Sequence, residues 1–227
     1  ISSASLQSRV APDSLAILRI AQLFTTAASV TAPPWPTELN NTTVRLTDEA
    51  DATVLAPISF VGPGQINLLL PGELTPGKVR AVVRTSAQLF EFDIEVATVA
   101  PALFSANNNG RGVPAATAVR VNAEGQETPV EVARCAFACV AAPISLGGEG
   151  DSVILTLNAT GIRRAAELKI QAGEEVLNVL GVEPHPVTPG RDLVRVRIPR
   201  EWAGRGAVDL LLVADTVPSN TVTILVE

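Results

Sequence analysis

Three features of this 227-residue chain point to an all-β protein. It carries 17 prolines and 16 glycines, its apolar residues are mainly Val, Leu, Ile and Ala with six Phe and no Tyr or Met, and it repeats itself internally. β-Branched residues suit the pleated surface of a strand, and frequent Pro and Gly suit tight turns, so short strands are favoured over long helices. At 47% hydrophobic and 18% charged residues the chain can bury a core.

The repeat organises the elements. Gln65–Val83 runs parallel to Leu193–Leu212: Pro71 aligns with Pro199, Glu73 with Glu201 and Leu74 with Trp202. With one added residue, Gly77 aligns with Gly206 and Val79 with Val208. The last strand recurs as well, setting Phe92, Ile94 and Val96 against Val222, Ile224 and Val226. Upstream, Asp13-Ser14 leads one strand as Asp151-Ser152 leads another.

Within each copy the pattern is that of antiparallel strands. Val194, Val196 and Ile198 alternate with Arg195 and Arg197, the mark of a strand with one wet face. Leu68-Leu69-Leu70 lacks alternation, which predicts a strand covered on both faces, at an interface between the copies. Turns are expected at "TDEADA", "GPGQ", "TPGK", "NNNGRG", "NAEGQ" and "AGRG". In "FVGPGQINLLLP" the Gly62-Pro63-Gly64 stretch lacks the Lys and following helix of a phosphate loop. It predicts a corner entering a central strand that Pro71 ends. A short helix is expected in or near Pro71–Leu74 and Pro199–Trp202.

Short strands between frequent turns predict two tandem immunoglobulin-like β-sandwiches. The first takes residues 1–101 and the second 102–227. Residues 102–146 have no counterpart in the first copy and read as an N-terminal extension. There "ATAVRVNAEGQETPVEV" predicts a hairpin turning at Asn122 to Gly125.

The net charge is −6, and only Lys78 and Lys169 are lysines. An acidic chain repels phosphate backbones, so no nucleic-acid partner is expected. The longest uncharged window, Ile20 to Thr37, contains Thr, Ser, Gln and three prolines, so no membrane span is expected in this segment. The chain starts at Ile1 without Met or a signal peptide, and is expected to be an excised piece or mature form of something longer.

Cys135 and Cys139 are the only cysteines. On an extended strand they would stand roughly 13 Å apart, at about 3.3 Å per residue. A disulfide needs Cα atoms nearer about 5.5 Å, so the segment must turn to form one. The alternative is two buried free thiols. Two thiols and one histidine make a structural zinc site a poor reading, and no cofactor is expected.

No catalytic residues are expected. The single histidine, His185, lies between Pro184 and Pro186 in a stretch that reads as an extended surface loop, and no G-x-S-x-G elbow exists. Asp48, Glu49 and Asp51 crowd a turn where solvated charge is the ordinary reading and a weak calcium site the alternative. Arg195 and Arg197, within the run Arg191 to Arg205, could form an anion or partner patch or simply a solvated face. Trp35 and Trp202 are candidates for ligand or partner contact, with a core-edge role as the alternative, above all for Trp202, which replaces Leu74.

Several segments together resemble a known family. They are "SSASLQ...VAPDSLAIL", "APISFVGPGQINLLLP", "VAPALFSANNNGRGVPAATAVRVNAEG", "GDSVILTLNATGIR" and "LVRVRIPREWAGRGAVDLLLVAD...SNTVTI". The chain resembles the paralogous, uncharacterised C-terminal domain of secreted acidobacterial (Solibacter-type) proteins, a resemblance that implies modules like the IPT/TIG branch of immunoglobulin-like folds. It departs from that pattern where a glycine is expected after the first strand of each copy, since Ile20 and Ala159 stand there. The resemblance implies export, an extracellular or cell-surface location and N-terminal domains of variable kind in the same longer chain. No activity comes with it. The expected function is therefore a non-catalytic structural or attachment module. The alternative is a carbohydrate-binding or adhesive module using exposed aromatics such as Trp35 on a cell-surface polymer or glycan. Export also favours the Cys135–Cys139 bridge over free thiols.

Overall fold

The computed structural model describes residues 1–23 and 25–227. Its regular structure is β throughout, apart from one 3₁₀ turn at Arg200–Trp202 among the described residues. None of the described helices is long and apolar enough to cross a membrane. Two compact units emerge. Unit 1 comprises Ile1–Ala100 with Thr160–Arg164 and Pro184–Arg191; unit 2 comprises Pro101–Ala159, Ala165–Glu183 and Asp192–Glu227.

Unit 1 holds β1 (Leu15–Arg19), β2 (Ala28–Ser29), β3 (Glu38–Leu39), β4 (Thr42–Thr47), β5 (Thr53–Leu55), β6 (Ile58–Gly62), β7 (Gln65–Leu69), β8 (Gly77–Arg84) and β9 (Leu89–Val96). They form two sheets, ordered β1-β7-β6-β2 and β3-β4-β8-β9, with β5 added on β4. Ile58, Val61, Ile66 and Leu68 of the first sheet share one buried cluster with Val44, Leu46, Val79, Ala81 and Val83 of the second. Burying each such aliphatic side chain is worth about 1.5–3 kcal/mol, which makes this cluster the main source of the unit's stability.

The "FVGPGQ" corner is a hairpin turn: Gly62 pairs with Gln65, and Gly64 takes φ +77. β7 lies between β1 and β6, so the central-strand expectation holds. The missing alternation in "INLLL" has a local cause. Ile66, Leu68 and Leu70 are buried toward the core, while Leu69 points the other way. Gly190 packs against that far face. A Cβ on Gly190, at φ +75, would stand 2.5 Å from the Leu69 side chain. Thr160 fastens the same region: its Oγ1 accepts the Leu15 N–H at 3.1 Å and donates to the Gly190 carbonyl at 2.6 Å.

The displaced glycine also finds its place. Gly161, two residues beyond Ala159, takes φ +75 and accepts the Ala100 N–H at 2.9 Å. A Cβ there would come within 2.1 Å of the Ala100 carbonyl oxygen, so glycine is required at this position, two residues after Ala159.

Unit 2 contains β10 (Ala102–Leu103), β11 (Ala116–Val121), β12 (Glu127–Val130), β13 (Ala133–Cys135), β14 (Cys139–Ala141), β15 (Pro143–Ile144), β16 (Ser152–Thr160), β17 (Leu168–Ala172), β18 (Glu175–Pro184), β19 (Asp192–Ile198), β20 (Gly206–Ala214), β21 (Val217–Pro218) and β22 (Val222–Val226). Most join one ladder, β12-β11-β16-β19-β18-β17-β20-β22-β15. The expected hairpin is β11–β12, where Asn122 Oδ1 accepts the N–H groups of Glu124 and Gln126 across the turn. In β16 and β19 the inward pairs are Val153–Ile198, Leu155–Val196 and Leu157–Val194, all buried. The expected short helix forms after Pro199 as the 3₁₀ turn; after Pro71 there is only a turn, closed by Leu74 N–H to Pro71 at 3.4 Å.

Candidate functional site

The sequence candidates separate once placed. Trp202 is 1% exposed, so no ring face is open to a ligand. Its Nε1 donates to Glu175 Oε2 at 2.7 Å, and the Arg205 guanidinium lies 4.9 Å above its ring. The side chain therefore serves the core, as the repeat with Leu74 suggests. The hydrogen bond from Trp202, then that from Arg205, holds the Glu175 carboxyl below its ordinary pKa.

Trp35 is half-buried, and its Nε1 is enclosed without a hydrogen-bond partner among the described residues. Its polar edge thus faces inward rather than toward an incoming sugar hydroxyl. Arg195 and Arg197 do stand on the exposed face of β19, opposite Thr156 and Ile154. The basic run does not gather into one patch, however. Arg195 pairs with Glu183 at 3.1 Å, Arg200 donates to the carbonyls of Leu146, Asp151 and Gly147, and Arg205 is held by Glu175. Arg191 is half-buried, and among the described residues the exposed Arg197 head has no such partner.

The acidic turn is organised around its own backbone. Asp48 is 4% exposed; its Oδ1 accepts the Ala50 and Ala52 N–H groups and its Oδ2 the Thr75 N–H. Those bonds, the Thr75 one foremost, hold its pKa below the usual carboxylate value. A carboxylate spent this way has little left for calcium. The described residues contain no group of three or more His, Cys, Asp or Glu placed to share a metal.

His185 is half-buried, and its Nδ1 accepts the N–H groups of Val187 and Thr188 at 3.2 and 3.0 Å. It folds its own loop. Burial, aided by the nearby Arg191 charge, lowers its pKa. A depressed pKa means the neutral ring stabilises the folded loop above about pH 6.5, and the contribution is lost as pH falls through the folded value. The Cε1–H resonance of His185 should accordingly titrate below about pH 6.5; a midpoint at or above that value would contradict this geometry.

The surface feature that stands out joins the expected Cys135–Cys139 bridge to a residue the sequence analysis did not single out, Phe137. Cys135 and Cys139 are bridged, with Cα atoms 4.0 Å apart, so β13 and β14 form a hairpin closed by its own disulfide. Phe137 at the tip is 111% exposed, as free as a side chain can be, and Ala136, Ala138 and Val140 around it are exposed too. The base is fixed twice. Asn107 donates from Nδ2 to the Cys139 carbonyl at 2.8 Å and accepts the Cys139 N–H on Oδ1 at 2.7 Å. Below it the Ala142 N–H bonds to the Val132 carbonyl at 3.0 Å, and both residues are buried. An aromatic on a pre-ordered loop loses little entropy on contact, which is what makes such residues effective anchors. The available signal in the sequence was the spacing itself: one aromatic centred between two cysteines, "CAFAC".

Because the loop closed by the bridge is so short, the bridge constrains the unfolded chain only modestly. Replacing both cysteines by serine should cost about 2 kcal/mol or less in the chain-entropy model, read as the loss in urea-unfolding free energy. A loss of twice that size would mean the hairpin carries core packing.

No family model matches the chain, and no curated protein does. Among solved structures the chain is similar to bovine butyrophilin, with 10% identity over 96% of this chain and 94% of that one, at a TM-score of 0.29. A TM-score of that size carries no argument about a shared fold.

Proposed function

We propose that this chain is a non-catalytic attachment module of an exported bacterial protein, carried beside other domains of a longer chain. The observation that carries the reading is Phe137, held clear of the surface on a hairpin locked by the Cys135–Cys139 bridge and by Asn107. A disulfide is the product of an oxidising compartment, in keeping with export. The resemblance to the acidobacterial C-terminal domain supports the same setting.

In this reading the chain consists of two related immunoglobulin-like modules. What supports it is recurrent pairing: β1 with β7 and β16 with β19, β4 with β8 and β17 with β20, β8 with β9 and β20 with β22. The ladders suggest one refinement. Ala16 sits opposite Leu68 and Leu155 opposite Val196, which sets Ser14 against Val153, one residue away from the alignment through the Asp-Ser pairs.

The target is a polymer of the cell surface, and sedimentation with peptidoglycan sacculi, cellulose and chitin tests it. At least one should retain the protein, and Phe137→Ser should reduce the retained fraction at least fivefold. Trp35→Ala should leave it nearly unchanged; a loss with Trp35→Ala alone would move the contact to the Trp35 loop. Retention by none of the three would overturn the attachment reading.

A further inference from the structure

The outer face of the β3-β4-β8-β9 sheet carries an ordered set of charges with one gap. Lys78, Arg80, Val82 and Arg84 of β8 share that face with Leu89, Glu91, Asp93 and Glu95 of β9. Lys78 pairs with Asp93 at 2.8 Å and Arg80 with Glu91 at 2.5 Å, each reaching one step diagonally across the ladder. The next diagonal, Val82 with Leu89, is apolar, and the one after it takes Arg84 to Ala87 in the connection between the strands. Arg84 therefore stands past the last carboxylate of the ladder.

A second unpaired arginine meets it from β4. Thr43 is opposite Arg84 and Arg45 is opposite Val82, which makes Arg45 and Arg84 diagonal neighbours on one face. Such neighbours stand about 7–8 Å apart, a separation that two long side chains can close around one small group. Among the described residues neither guanidinium has an ion pair or a hydrogen bond. Between them opens a crevice of about 100 Å³, lined by Thr43, Arg45, Leu55, Val82 and Arg84. Two guanidinium groups and one hydroxyl give it an excess of donors. Leu55, 45% exposed, and Val82, 8% exposed, give it an apolar side.

That combination selects a ligand by charge and by shape. The planar guanidinium fork matches an oxyanion through two parallel hydrogen bonds. At ~30 Å³ per water-sized group the crevice holds about three such groups, the size of one carboxylate. The rest of the ligand then lies over Leu55, where an apolar body gains contact that a hydrated inorganic ion does not. Glu38 stands opposite Thr43 on β3, and its charge disfavours a second negative charge on the ligand. The net charge of −6 disfavours long polyanions in the same way.

We infer that this crevice is a binding site for a small organic monocarboxylate, with its carboxylate between Arg45 and Arg84 and its apolar body on Leu55. The site is in unit 1 and Phe137 is in unit 2, so its fate is independent of the attachment reading.

The experiment is titration of the intact chain at pH 7 and low salt with benzoate, benzamide, acetate and sulfate. The signals followed are the arginine Nε–Hε resonances and the methyls of Leu55 and Val82. Benzoate should bind saturably at one site and shift Arg45, Arg84, Leu55 and Val82 together. Benzamide, its uncharged counterpart, should give no saturable shift, and acetate and sulfate should each bind at least threefold more weakly. Arg45→Gln and, separately, Arg84→Gln should weaken benzoate at least fivefold, while Arg197→Gln, at an exposed arginine of unit 2, should leave it unchanged. Leu55→Ser should bring benzoate down to the acetate level. No saturable response to benzoate, equal binding of benzamide or sulfate, or an equal loss with Arg197→Gln would each overturn the assignment. The comparison of the four ligands uses the unaltered protein, so it stands even if a variant fails to fold.

Discussion

Trp202→Ala is expected to remove about 3–5 kcal/mol from the unfolding free energy of unit 2, the usual cost of emptying an aromatic site in a close-packed core. Trp202 is among the largest fully buried side chains, and it sits at the end of the 3₁₀ turn that leads β19 into β20. Nothing nearby can collapse to fill it cheaply, because β-sheet walls are held by their ladders. Two things are lost together: packing area and the donor to Glu175. Trp202→Phe separates them. It keeps most of the area, so its cost should be clearly smaller, and it frees Glu175 from its strongest partner. The Glu175 carboxyl should then titrate at a higher pH by ¹³C NMR. A Trp202→Phe protein as unstable as Trp202→Ala would show that the hydrogen bond, not the ring, dominates.

The second large effect is expected at Asn220. This side chain is 8% exposed and closes three backbone contacts: Oδ1 accepts the Leu103 N–H at 2.9 Å, while Nδ2 donates to the Leu103 and Gly110 carbonyls at 2.9 and 2.8 Å. Each buried backbone group left without a partner costs about 1–3 kcal/mol, so Asn220→Ala should lose about 3 kcal/mol or more. Asn220→Asp keeps the shape and the acceptor but replaces the donor by a carboxylate facing two carbonyls. It should be no better than alanine at pH 7. Urea unfolding of the two variants checks this, and a loss below about 1 kcal/mol for both would mean water replaces the side chain.

What the sequence disclosed follows a physical line. Period-two burial was readable in β19, because Arg195 and Arg197 really do face water between Val194, Val196 and Ile198. The β11–β12 turn was readable for the same local reason: Asn122 bonds its own backbone. The Cys135–Cys139 bridge, favoured over free thiols by the export that the resemblance implies, is present, and the segment makes the turn it needs.

Failures occurred where polarity and exposure part company. In "INLLL", Leu69 is apolar on the outer face because Gly190 packs against it, and nothing within the strand announces that cover. β18 errs in the opposite sense. Val176, Leu180 and Val182 are apolar yet 53%, 51% and 40% exposed, so its alternation is invisible in composition. The site candidates were chosen for ring size, which favours Trp. Exposure decided otherwise: the larger ring of Trp202 is wanted by the core, and the smaller Phe137 is left outside.

Thr160 and Gly190 have a consequence for how the protein comes into being. Leu15 N–H receives its partner from a residue 145 positions later in the chain. During synthesis, β1 to β9 would all have emerged while the Leu15 amide and the outer side of Leu69 still lacked their covers. Contacts of such separation form late, since the intervening chain must first be gathered in. The first hundred residues therefore spend an interval as a nearly finished sandwich with one edge bare, and a bare edge is where strands of neighbouring molecules join.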